Sequence, residues 1–220
     1  MSRHTTDDTA HPICFVDVET DGLSPHCRAW EVAVIRRDPA TGLDVEHQWL
    51  LPLDLRHADP RALDVGRFWD RHPVGRKVSG KEPCPTDTAT TPKHDVARDV
   101  MRLTYGATLV GASVHFDADV LARLLRNEGY LPSWSHRLRC VTTLASGLAG
   151  RDIGGLDSAA ETWLVNVPEQ DRHTAMGDAR TARNVYDAVM SIGRRTGLDA
   201  QSVTFPRHST SEHSTAGGRS

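Results

Sequence analysis

The sequence predicts a mixed α/β domain whose central sheet starts as an antiparallel meander and continues with parallel strands, flanked by helices. Three observations carry this. Three runs rich in β-branched and aromatic residues follow one another before residue 52, joined by connections containing Asp21-Gly22 and Asp38-Pro39. From Thr108 onward, short apolar strand-like runs alternate with segments whose apolar residues recur at helical spacing. The 220 residues, 38% of them hydrophobic, suffice for one domain with a sizeable core.

In chain order, residues 1–11 are polar and aperiodic and are expected to form a disordered arm, followed by a single folded domain over 12–195. The strands are expected at 12–19, 28–37 and 43–51. Residues 59–73 read as one or two short helical turns anchored by Leu63, Val65, Phe68 and Trp69. Residues 74–91, rich in Pro, Thr, Gly and Lys, read as a flexible loop. A helix at 95–105 carries Val96, Val100, Met101 and Leu103, and a buried strand follows at 108–111. Residues 116–127 form a strongly amphipathic helix, with Phe116, Val120, Leu121, Leu124 and Leu125 on one face and Gly129 closing it. A strand at 137–141 passes into a helix reaching Leu148, and further helices span 156–164 and 177–192. From residue 196 the Ser, Thr, Gly, His and Arg content predicts a second disordered tail.

A net charge of −3 argues against a protein that holds nucleic acid through a broad basic surface, while allowing an enzyme that grips a few phosphates through bound metals. The four cysteines include no Cys-x-x-Cys pair, so neither a zinc site nor a disulfide framework is expected. No run approaches the ~20 apolar residues of a membrane span, and the first residues lack the apolar core of a secretory signal. A cytoplasmic location is the expectation, with no membrane partner.

The chemistry gathers at element ends. Residues 13–23 read Ile-Cys-Phe-Val-Asp-Val-Glu-Thr-Asp-Gly-Leu, with Asp17 and Glu19 near the end of the first strand. Residues two apart on a strand face the same way, so these carboxylates are neighbours, and they repel unless a cation lies between them. A hard ion such as Mg²⁺ suits oxygen ligands. An exposed acidic pair on an edge strand explains Asp-x-Glu equally simply. Asp117 and Asp119 fall in the first turn of a helix, where the dipole favours a carboxylate whatever else it does. Asp178 also opens a helix, five residues after His173. Glu31 interrupts an apolar strand, where it either points back toward these acids or, more commonly, takes a solvated edge position.

Three segments in order, Phe-Val-Asp-Val-Glu-Thr-Asp-Gly-Leu, Val-Gly-Ala-Ser-Val-His-Phe-Asp-Ala-Asp-Val-Leu and His-Thr-Ala-Met-Gly-Asp-Ala, resemble the motifs of the DEDDh 3′-to-5′ exonucleases. That family includes polymerase proofreading subunits, ribonuclease T and oligoribonuclease, and has a ribonuclease-H-like fold. The resemblance spans residues 13–190. It implies that Asp17, Glu19, Asp117 and Asp178 hold two Mg²⁺ (or Mn²⁺) ions and that His173 is the general base. It also implies contacts from Thr20, Leu23 and Phe116 to the terminal nucleotide, with Leu23 either a wedge against the base or an ordinary core leucine. The implied substrates are single-stranded or frayed 3′ ends of DNA or RNA, and the products nucleoside 5′-monophosphates. For proofreading subunits a DNA polymerase is the partner. Ala112 and Ser113 replace the His-Asn common in the family's second motif, and residues 74–91 have no place in the resemblance. A catalytically silent nucleic-acid-binding or polymerase-accessory module is the alternative, and an endonuclease on a related fold is a third reading. The full set of acids and the histidine weigh against the silent module, and the His-x4-Asp spacing weighs against the endonuclease.

Overall fold

In the computed structural model, which describes residues 11–82 and 89–195, the β-rich runs form β1 (Ile13–Thr20), β2 (Ala29–Arg37) and β3 (Asp44–Leu50). β1 pairs antiparallel with β2 and β2 with β3, as short connections between consecutive strands require. β4 (Thr108–Gly111) joins β1 in parallel, and the two-residue β5 (Arg139–Cys140) joins β4 in parallel. The sheet order is β3-β2-β1-β4-β5, with antiparallel pairing in the first half and parallel in the second. This is the expected mixed sheet of a ribonuclease-H-like fold.

Strand alternation divides the core between the two faces. Cys14, Val16 and Val18 of β1 and Val32 and Val34 of β2 pack against α4 (Lys93–Thr104) and α5 (Val114–Asn127), numbered after α1 (Pro60–Val65), α2 (Phe68–Arg71) and α3 (Pro73–Val78). Phe15, Ala33 and Ile35 face the other way, onto α6 (Val141–Ala149), α7 (Leu156–Thr162) and α8 (Ala175–Arg195). A smaller cluster of Trp30, Leu53, Leu63 and Phe68 seats α1 and α2 beside the start of β2. Gly129, at φ 83°, follows the end of α5 as expected.

Two expectations need correction. Val65 is 57% exposed and anchors nothing, because it lies two positions past the buried Leu63 and faces the opposite side of α1. The loop expected over 74–91 begins as a helix, α3. His72 caps it by accepting a hydrogen bond from the Val74 N–H at Nδ1 (3.2 Å), and Pro73 takes the first helical position, where its missing N–H is harmless. Residues 1–10, 83–88 and 196–220, which hold part of that loop, nearly all of the expected N-terminal arm and the expected C-terminal tail, lie outside the described residues. Among the described residues no helix is long and apolar enough to cross a membrane.

Candidate active site

β1 outruns its parallel neighbour. β4 pairs with residues 13–15 and stops at Gly111, while β1 continues to Thr20. The chain then turns into α5, whose first turn delivers Asp117 to the unpaired side of β1. Contact is close enough that a Cβ on Gly111 would lie 2.9 Å from the Val16 carbonyl oxygen and 3.2 Å from Asp117 Oδ2. Asp178 arrives from the opposite face, in the first turn of α8. Thr174 caps that helix: its Oγ1 accepts from the Gly177 N–H at 3.0 Å and donates to the Asp171 carbonyl at 2.7 Å.

The result is one acidic centre at the end of β1. Asp17, Glu19 and Asp178 each offer a carboxylate oxygen within 4.8 Å of the others. Asp117 lies beside this trio, outside that spacing but close enough for its charge to act on Asp17. It is buried, and its Oδ2 has no hydrogen-bond partner. Asp119, with the same sequence rationale, is exposed and lines the groove along α5 instead of joining the trio.

Electrostatics mark the group as under-compensated. Burial, then the charges of Asp117, Asp178, Glu19 and Glu31, hold the Asp17 carboxyl well above the usual carboxylate range. Burial pushes Asp117 up to about 8, against the stabilising backbone N–H of Val18. Glu19 is raised to about 7 by burial and then by Glu31 and Asp178, with Arg71 and Arg67 opposing. Burial also raises Asp178 to about 6, with the His173 imidazole opposing. An all-oxygen donor set carrying this much unpaired negative charge fits a hard divalent cation, and the orphaned Oδ2 of Asp117 is the kind of buried acceptor such an ion satisfies.

His173 sits at the rim, exposed, with a left-handed backbone (φ 54°). Thr20 is buried, and both its oxygens are engaged: Oγ1 donates to the Gly22 carbonyl (2.7 Å) and its own carbonyl accepts from the Trp30 indole (3.2 Å). Leu23 is 85% exposed, so it is not a core leucine. It stands at the tip of a loop pinned at its base by Arg28, whose main-chain N–H and Nε donate to the Asp21 carboxylate at 2.6 and 2.7 Å. With Pro25, Phe116, Val120, Arg123 and Arg126 it lines an open groove of about 470 Å³ along α5.

Glu31 is the residue whose commoner sequence reading fails. It is fully buried, opposite Glu19 across the β1–β2 pair, with Arg71 bonded to its Oε1. The register of a short meander was the signal that could have placed it. No sequence signal singled out Arg71 or Arg67.

Fold and site together define a mixed α/β domain, a five-stranded sheet flanked by helices, with an acidic candidate cation centre. No protein-family model matches the sequence, and no curated protein matches it. Among solved structures, the chain is similar to NrnC of Brucella melitensis, at a TM-score of 0.43 and 16% sequence identity over 89% of this chain and 80% of that one.

Proposed function

We propose that this protein is a metal-dependent 3′-to-5′ exonuclease that hydrolyses the terminal phosphodiester bond of a DNA or RNA strand and releases nucleoside 5′-monophosphates. The observation that carries the reading is the meeting of Asp17, Glu19 and Asp178 within 4.8 Å, with the unpartnered Asp117 beside them and His173 near Asp178. The four acids come from β1, α5 and α8, the elements on which the motif resemblance places them.

In this reading the four carboxylates hold two divalent cations, Mg²⁺ or Mn²⁺. When bound, these supply Lewis-acid stabilisation to the attacking and leaving oxygens of an in-line displacement. His173 takes the proton of the attacking water on an imidazole nitrogen, a role suited to a basic side chain at the exposed rim. Leu23 and Phe116 flank the terminal base at the groove mouth, and the backbone at Thr20 lies beside the terminal sugar. A frayed or single-stranded end enters this groove without the cost of opening a pair.

Linear and circular single strands of one sequence test the reading. The linear strand is expected to be consumed with Mg²⁺ or Mn²⁺ and spared in excess chelator, and the circle to survive both. Cutting of the circle would mean an endonuclease. Survival of both substrates would mean a catalytically silent module.

A further inference from the structure

The segment that carries His173 is held by side chains outside every motif. His173 adopts the left-handed backbone region, which a non-glycine residue keeps only where its surroundings over-determine it. Arg67 and Arg71, one helical turn apart, reach across to this segment. Arg67 Nη2 donates to the carbonyls of Gln170 (2.7 Å) and Arg172 (3.0 Å). Arg71 Nη1 donates to the carbonyl of His173 itself (3.3 Å) and to that of Gly66 (2.8 Å).

Arg71 Nη2 is bonded to the buried Glu31, whose other oxygen accepts the first N–H of α8, from Ala175, at 3.2 Å. Three carbonyls and one amide between residues 170 and 175 are therefore tied to two arginines and one glutamate. Gly177 lets the turn close: a Cβ there would fall 1.9 Å from the Asp171 carbonyl oxygen. Arg67 is itself left-handed, at φ 54°, so both sides of the junction adopt an uncommon backbone that these bonds span.

We propose that Arg67, Arg71 and Glu31 form a clamp that fixes the His173 backbone relative to Asp178, which makes the two arginines positioning residues for the hydrolysis. This rests on the function proposed above. The arginines act on His173 through its main chain and, through their charge, on Glu19, so it is at saturating Mn²⁺ that removing them matters only while the imidazole is in use.

The test uses the full chain with Arg67→Met and Arg71→Lys. Arg71→Lys keeps a positive charge against Glu31 but loses the planar fork that serves several acceptors at once. Arg67→Met leaves no buried acid unpaired and decides the matter should Arg71→Lys fail to fold. Amide exchange over residues 169–177 is expected to accelerate while β1 keeps its protection. Turnover is expected to fall by about 10- to 100-fold, the scale of a misplaced catalytic group, with KM for a short oligonucleotide little changed. In a His173→Ala background at saturating Mn²⁺ the same substitutions are expected to cost nothing further. Unchanged exchange, unchanged turnover, or an added loss in the His173→Ala background would each overturn the clamp. Absence of hydrolysis by the unmodified protein would instead remove the proposed function, and the exchange measurement would still decide whether the clamp exists.

Discussion

Glu19 and Glu31 face each other across the β1–β2 ladder, and the fold treats the two carboxylates in opposite ways. Glu31 is sealed in and paired with Arg71, with the Ala175 N–H on its second oxygen. Glu19 is left half-buried and turned to Asp17 and Asp178, and its carboxyl is raised to about 7. One member of the pair organises the backbone and the other is kept free for a ligand, which is the division of labour a cation site requires.

Mn²⁺ is expected to raise the Tm of the unmodified protein, and Asp17→Asn to abolish both that rise and hydrolysis. A neutral amide ligates a hard cation poorly, and the loss is expected to exceed the ~10- to 100-fold that follows removal of a mere outer partner of a metal. Melting in chelator should show no destabilisation, because one of several repelling carboxylates has gone. Full activity in this variant would remove Asp17 from the site.

The raised carboxyls give metal-free stability a direction with pH. Asp117, Glu19 and Asp178 titrate at about 8, 7 and 6 in the folded chain, against roughly 4 when unfolded. Between these limits the folded state binds more protons, so these groups make stability fall as pH rises from about 4 to about 8. Melting in chelator is therefore expected at a lower temperature at pH 8 than at pH 5, with a smaller difference in Asp117→Asn. The Mn²⁺-induced rise in Tm should be larger at pH 8, where fewer protons must be displaced. The opposite trend in either series would contradict the buried acidic centre.

His173→Ala is expected to lower turnover by about 10²- to 10⁴-fold, the usual contribution of a general base. The Mn²⁺-dependent rise in Tm should persist, since the imidazole lies at the exposed rim and is not among the clustered oxygen donors. Steady-state rates and melting curves on the same preparations check both halves.

Leu23→Ala should leave Tm nearly unchanged, because a side chain 85% exposed contributes little to packing; surface substitutions of this kind stay within about 0.5 kcal/mol. Binding of single-stranded 3′ ends should weaken by about 1 kcal/mol or less, below the ~1–3 kcal/mol per base of aromatic platforms. Fluorescence anisotropy with a catalytically blocked background separates this effect from turnover.

The fold was legible because its local signals agree. The alternation of Cys14, Val16 and Val18 against Phe15 and Asp17 fixes which face of β1 carries the acids, and the amphipathic pattern of residues 116–127 fixes α5. Asp117 and Asp119 could not be told apart by the helix dipole; burial against Gly111 separates them. Residues 74–78 read as loop because five residues including a Gly carry no periodicity, and the helix they form with Pro73 depends on a cap from a buried histidine. Glu31 was legible only through strand register, and Arg67 and Arg71 not at all, because the bonds that tie them to the His173 segment go to main-chain atoms about 100 residues away.

The most direct measurement is the first product released from a 3′-labelled oligonucleotide, made as matched DNA and RNA, with Mn²⁺ and in excess chelator. A 3′-to-5′ exonuclease centred on Asp17, Glu19, Asp117 and Asp178 releases labelled nucleoside 5′-monophosphate first, from at least one of the two strands, with Mn²⁺ alone. A longer labelled fragment as first product, equal release in chelator, or no release from either strand would contradict it.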